Sequence, residues 1–201
     1  MGRSALGLAR GRDGLLYVPR APLTRPSPLV VLLHGAGSSA SAAITLLGDL
    51  TEVPGLVVLA PDSRRATWDV IRGDFGDDVA FIDRALRHVF ARCPIDPARI
   101  ALAGFSDGAS YALSLGIGNG LFTHLIAFSP GFAAPAAHIG RPRMFVTHGI
   151  ADPVLPIDRC SRSLVPALRS GGYDIVYEEF DGGQAVPREL ARRAIEWMLD
   201  G

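Results

Sequence analysis

RIALAGFSDGASYAL, residues 99–113, runs from an apolar stretch through a glycine-flanked serine into a helix of small residues. Arg99–Ala103 reads as a buried strand and 107–117 as a helix. Between them, Gly104-Phe105-Ser106-Asp107-Gly108 sets a serine on a sharp strand-to-helix turn. Glycines flank it because neighbouring backbone passes too close for a side chain, and the turn thrusts the hydroxyl out above a sheet. The competing reading is a glycine-rich turn with an ordinary serine cap. The strand before and the helix after favour the first.

Working outward, apolar runs alternate with helical patterns along the whole chain. LLYV (15–18), LVVLL (29–33), LVVLA (56–60), HLIAF (124–128), MFVTH (144–148) and DIVYEEF (174–180) join RIALA as strands, seven in all. Most are nearly continuous in apolar residues, as parallel strands covered on both faces must be. Helices are expected at about 40–50, 77–92, 107–117, 158–170 and 187–199. In the second, Val79, Ile82, Leu86, Val89 and Phe90 form one stripe, with Asp77 and Asp78 at the positive end of the dipole. The last opens at Pro187 and is expected to bury Leu190, Ala194, Ile195 and Met198. This alternation predicts a mostly parallel, doubly wound α/β sheet in one domain over residues 1–201. SPGFAAPAAHIGRPR (129–143) leaves no room for a large lid, so an open site follows.

Composition removes several functions. The 201 residues carry 20 basic and 20 acidic side chains, which gives no general electrostatic case for nucleic acid or an acidic membrane. Every basic residue is arginine, so Schiff-base lysine chemistry and a P-loop lysine are excluded. Cys93 and Cys160 fit no metal-ligand spacing and read as buried small hydrophobes, with a single disulfide left open. No dinucleotide fingerprint and no cofactor are expected. No apolar run is long enough to span a membrane. MGRSALGLARGRDG lacks the apolar run of a signal peptide, and Leu6 breaks the myristoylation pattern, so a cytoplasmic location is expected.

In open α/β sheets functional groups gather beyond the carboxyl ends of the strands. A nucleophilic Ser106 needs donors for the oxyanion formed when it attacks a carbonyl. One is the backbone N–H of Asp107; the second is expected from LVVLLHGAG (29–37), at Ala36, with Gly35 and Gly37 letting the chain bend. His34 is read as pinning that loop rather than as a base. Asp152 follows the strand in MFVTHGIADPVLPID (144–158) and supplies an acid, although Asp-Pro pairs also serve as plain turns. The order serine, acid, C-terminal residue favours the functional reading.

With these residues in place the chain resembles the small bacterial phospholipase/carboxylesterase group of α/β-hydrolases, relatives of acyl-protein thioesterases. The resemblance runs from about Leu29 to the C-terminus and rests on LLHGAG, GDDVAFID, RIALAGFSDGAS, HGIADPVLPID and FDGGQAVPREL. It implies an α/β-hydrolase fold and a site that hydrolyses small-molecule esters or thioesters without a cofactor. Carried over by position, Ser106 is the nucleophile, Asp152 the acid, and Ala36 and Asp107 the oxyanion donors.

The pattern breaks at FDGGQAVPREL (180–190), where the family places histidine after two glycines and this chain has Gln184. An amide fits the space and bonds to its neighbours, but it does not relay a proton near neutral pH. Three accounts stand: an engineered histidine-to-glutamine substitution, a natural loss of catalysis with a binding role retained, or another base, His138 or His148. Because Ser106 and Asp152 are kept, the sequence favours a hydrolase whose base is missing; the alternative is a non-catalytic fold that binds a small acyl ligand. Trp68 and Phe132 are the candidate walls of the acyl pocket, and Arg64 and Arg65 read as solvated loop charges.

Overall fold

Strands that are apolar nearly throughout need a sheet covered on both faces, and LVVLL (29–33), LVVLA (56–60) and HLIAF (124–128) lie fully buried in one. The computed structural model describes residues 2–20, 23, 25–48 and 53–200. In chain order the elements are β1 (Gly2–Ala5), β2 (Gly14–Val18), β3 (Ser27–Leu33), α1 (Ala40–Leu46), β4 (Val57–Pro61), α2 (Asp77–Phe90), β5 (Ile95–Phe105), α3 (Asp107–Ile117), β6 (His124–Phe128), β7 (Arg143–Gly149), α4 (Ser161–Ser170), β8 (Ile175–Phe180) and α5 (Arg188–Asp200). The strands form one sheet in the order β1-β2-β4-β3-β5-β6-β7-β8.

From β4 to β8 every pairing is parallel, whereas β1 and β2 add an antiparallel edge. That edge supplies an eighth strand, one more than the apolar runs indicated. β1 escaped notice because it lies at the sheet's margin with three of its four side chains exposed, so it carries no hydrophobic signal. On one face, α2, α3 and α4 bury Phe81, Ile82, Leu86, Tyr111, Leu113, Val165 and Leu168 against the sheet. On the other, α1 and α5 bury Ala40, Ala43, Ala194, Ile195 and Met198.

Three sequence expectations shift slightly. In α2 the buried stripe is Phe81, Ile82, Ala85, Leu86 and Val89, and Phe90 points to solvent. α4 begins at Ser161 rather than 158, because Pro156–Cys160 forms tight turns of its own, with Arg159 N bonding Pro156 O. The first helix ends at Leu46, with Leu47 as its C-cap, short of the expected 50; residues 49 and 50 lie outside the described residues. Cys93 and Cys160 are buried and unpaired.

The sheet places the site. From β3 the chain moves to β4 on one side and later to β5 on the other. The loops after β3 and β5 therefore diverge at a topological switch point, where a crevice opens beyond the strand ends. The glycine loop after β3 and the serine after β5 flank that crevice.

Candidate active site

Ser106 occupies a backbone conformation that few side-chain-bearing residues adopt, with φ 56° and ψ −121°. Such a residue costs on the order of 1–3 kcal/mol and persists only when its surroundings over-determine it. Here they do. The Ser106 N–H donates to Phe128 O over 2.9 Å, fastening the turn to β6. A Cβ at Gly104 would overlap Gly108 O, and one at Gly108 would lie 2.5 Å from His34 O. Only glycine at both positions lets α3 start directly over β3 and β5. The serine hydroxyl is thus held at the N-terminus of α3, where the helix dipole favours negative charge.

The loop His34–Ser38 runs beside it, close enough that a Cβ at Gly35 would lie 3.5 Å from Ser106 Cβ. Gly37 turns through φ 67°, and its N–H donates to Ala66 O over 2.7 Å. His34 is fully buried; its Nε2 receives the Ser63 N–H over 3.0 Å and faces the Arg12 guanidinium at 3.1 Å. Both partners are donors, so Nε2 carries the lone pair and Nδ1–H donates to Gly35 O over 2.7 Å. Burial, with the nearby Arg12 charge, lowers the imidazole's pKa despite the opposing Gly35 bond. His34 is a neutral strut, as read from the sequence. Among the described residues, the N–H groups of Ala36 and Asp107 find no acceptor within the protein. The Asp107 carboxyl itself accepts from Thr67 Oγ1 over 2.6 Å.

Asp152 stands in the loop after β7, buried at 5% exposure. Its Oδ1 accepts the Val154 and Leu155 N–H groups, both at 2.9 Å. Its Oδ2 is buried and has no hydrogen-bond partner among the described residues, although His148 Nε2 lies 3.4 Å away. The Gly182–Gly183 turn docks on this same loop: Ala151 N–H donates to Gly182 O over 2.9 Å, and a Cβ at Gly149 would overlap Gly183 O. From that turn Gln184 reaches back, and its Nε2 donates to Ser106 Oγ over 3.2 Å. Ser106 and Gln184 are thereby joined; between Gln184 and Asp152 no hydrogen bond forms, and the expected double engagement of the amide is half made.

Three other sequence candidates move. Trp68 is 1% exposed, stacked 5.1 Å from Tyr111, with its indole N–H on His34 O at 2.8 Å. It buttresses the loop after β3 and does not wall a pocket, because a side chain that completes the core offers no face to a ligand. His148 has both ring nitrogens engaged, Nδ1 with Ser161 Oγ at 2.7 Å and Nε2 with Leu155 O at 2.8 Å, which fits a support for the Asp152 loop. His138 lies at the opposite end of the sheet. Its neighbour Ile139 bonds the Ile117 carbonyl at the end of α3, and its own Nδ1 meets Tyr173 OH at 2.9 Å. The segment after β6 runs down the molecule rather than along the rim, which removes His138 from the serine. Phe132 stays at the rim, 37% exposed, next to Gly131, whose N–H donates to Ser110 Oγ near the start of α3.

No family model matches the chain. Among solved structures, the esterase PE8 superposes with a TM-score of 0.72 and 26% identity, over 92% of this chain and 98% of that one. The chain belongs to the α/β-hydrolase superfamily. A phospholipase/carboxylesterase from Dyadobacter fermentans shares the α/β-hydrolase fold at 22% identity and a TM-score of 0.69, over 92% and 95% of the two chains. By sequence, this α/β-hydrolase is 31% identical over 163 residues to "Probable feruloyl esterase C" of Aspergillus oryzae, covering 73% of this chain. With feruloyl esterase C of Emericella nidulans it shares 30% over 166 residues, 74% of this chain. The chain spans 57% of the length of each of these two relatives. Among the described residues of this α/β-hydrolase, no helix is long and apolar enough to cross a membrane.

Proposed function

We propose that this chain is a serine hydrolase of small carboxylic esters or thioesters, working through an acyl-enzyme on Ser106, and that Gln184 in the position of the general base cripples it. One observation carries the reading: an amide rather than an imidazole meets the hydroxyl of a strained elbow serine, beside a buried acid whose Oδ2 lacks a donor.

In this reading Ser106 Oγ attacks the ester carbonyl carbon, and the carbonyl oxygen takes up negative charge between the Ala36 and Asp107 N–H groups. Collapse expels an alcohol or thiol and leaves the acyl group on Oγ; water then reverses the sequence. Both halves need a group that takes a proton from oxygen and returns it to the departing oxygen or sulfur. Gln184 donates to Ser106 Oγ, so it solvates the nucleophile and leaves the proton in place. In serine proteases the loss of one triad member removes about four to six orders of magnitude, leaving roughly 10³–10⁴ over water. Asp152, whose Oδ2 makes no bond to Gln184, is the acid that would orient a histidine at position 184, and Phe132 is an apolar side chain at the rim for the acyl or aryl group. A cytoplasmic location is part of this reading.

The test is hydrolysis of aryl acetates and of a matched aryl thioester by this chain and by Gln184→His. Restored turnover that disappears with Ser106→Ala supports the reading. A folded Gln184→His chain with no gain on either substrate overturns it. The other reading, a non-catalytic binder of a small acyl ligand, draws on the same amide: a hydroxyl held by Gln184 is a polar anchor as much as a nucleophile. Saturable binding of an acyl ligand without turnover in both chains would favour it.

A further inference from the structure

Outside the serine and its partners, a polar junction at this rim centres on Arg12, in the turn between β1 and β2. Its Nε donates to Ser63 O at 2.5 Å. Its Nη2 donates to Ser38 O at 2.9 Å and Ser63 Oγ at 3.2 Å, and faces His34 Nε2 at 3.1 Å. Asp62 Oδ1 lies 4.0 Å away. One guanidinium therefore ties both ends of the His34–Ser38 loop to the loop after β4.

The turn that presents Arg12 is itself rigid. Asp13 accepts the N–H groups of Gly7, Leu8 and Ala9 at 2.7, 2.9 and 3.0 Å. Asp13 O receives the Asp62 N–H at 3.3 Å, and a Cβ at Gly14 would lie 2.6 Å from Ala60 O, so the turn sits flush on the end of β4.

We propose that Arg12 is a positioning residue: it holds the loop after β3 in the shape that aims the Ala36 N–H at the reacting carbonyl oxygen. This rests on the ester-cleaving reading above. The loop between His34 and Ser38 contains Gly35 and Gly37 and would otherwise sample many conformations, since glycine restricts the backbone least. Fixing His34 through Nε2 and Ser38 through its carbonyl clamps the loop on either side of Ala36. Arginine suits the task because its planar fork makes several directed bonds at once and keeps its charge; a lysine ammonium reaching one carbonyl would abandon the others. Because Arg12 is a permanent donor, it also holds His34 Nε2 as an acceptor, which fixes the tautomer and the Gly35 bond. The antiparallel edge thereby acquires a role in the site.

Arg12→Gln and Arg12→Lys are made in this chain and in Gln184→His, with Ser63→Ala as a milder variant that removes only the hydroxyl contact. Amide hydrogen exchange reads the loop without reference to turnover. The expected result for Arg12→Gln is exchange at Gly37 faster by about tenfold or more, with Leu102 and Ile126 in the central strands as protected as before. Arg12→Lys is intermediate and Ser63→Ala smaller in the same direction. In the Gln184→His chain the expected loss in kcat is about 10- to 100-fold for Arg12→Gln, with KM changed less than about threefold. Unchanged Gly37 exchange in a folded Arg12→Gln overturns the proposal, as does a loss confined to KM. If Arg12→Gln does not fold, Arg12→Lys and Ser63→Ala decide by the same two readouts. A loosened loop in a chain that Gln184→His fails to activate would fault the ester-cleaving reading and the catalytic purpose of the clamp, while leaving the clamp itself demonstrated.

Discussion

The carboxamide nitrogen of Gln184 lies 3.2 Å from the hydroxyl oxygen of Ser106, and the hydrogen bond runs from the amide to the serine. Proton abstraction requires the opposite direction, with the serine donating to a lone pair that can keep the proton. The elbow is intact and the polarity of one bond is reversed.

Gln184→His is therefore expected to raise aryl-ester kcat/KM by about 10³-fold or more, because the ring supplies both an acceptor for Ser106 and a donor for Asp152 Oδ2. The same substitution gives a buried, unpartnered carboxyl oxygen its bond, worth roughly 1–3 kcal/mol. Steady-state kinetics and a denaturant melt read the two gains.

If Asp152 Oδ2 faces the space a base would fill, a free base should enter once the amide is cut away. Gln184→Ala in millimolar imidazole is expected to hydrolyse aryl acetates roughly tenfold faster than imidazole alone in solution. Asp152→Asn in that background should erase the gain; equal rates with and without the acid would disprove the arrangement.

Strain at Ser106 predicts a trade of stability for reactivity. Ser106→Gly, free at φ 56°, is expected to stabilise the fold by about 1–3 kcal/mol and to raise Tm by several degrees, with ester cleavage at background. A lower Tm for Ser106→Gly in a scanning calorimeter would show that the turn is relaxed.

Gly149 is the point where the Asp152 loop and the Gly182–Gly183 turn touch backbone to backbone. A Cβ there would overlap Gly183 O, so Gly149→Ala must push the two segments apart. The expected cost is about 1–3 kcal/mol of stability, and a loss of most activity gained by Gln184→His. Retained activity would mean that position 184 does not depend on that docking.

Two buried histidines set a pH dependence. His34 and His124 both have pKa values held below the ordinary 6.5 by burial first of all; Arg12 adds to the effect at His34, and Arg143 and Arg99 at His124. The unfolded chain binds protons at these sites below about pH 6.5 while the folded chain does not, so stability falls as pH drops through that value. Each fully neutral site contributes up to about 1.4 kcal/mol per pH unit below it. Urea melts at pH 7.5 and 5.5 give the slope, and ring NMR of His34 should show a neutral imidazole at pH 6.

Much of this molecule was legible in local patterns. Seven of eight strands announced themselves: β3, β4, β6 and β7 and the second half of β5 are buried on both faces and so nearly apolar throughout, while β2 and β8 keep short apolar runs although about half of their side chains are only partly covered. The glycine–serine elbow was readable because its two glycines answer a close approach of backbone, a demand that a short motif carries in full. Gln184 stood out because it occupies a position defined by the glycines before it and the helix after it. β1 stayed silent because an edge strand with exposed side chains has no reason to be apolar. Trp68 was ambiguous for a related reason: an aromatic next to a loop looks the same whether it faces a ligand or the core.

By itself the sequence determined the order of seven strands and five helices, the sharp turn at Ser106, and the aspartate and amide that follow it, since each depends on neighbours a few residues away. Only the tertiary structure decided that Trp68 lies beneath the loop after β3, that His138 sits at the far end of the sheet, and that Arg12 spans from the edge hairpin to His34, Ser38 and Ser63. Those are contacts between segments far apart in the chain, made by direction and distance, and periodicity along a sequence carries neither.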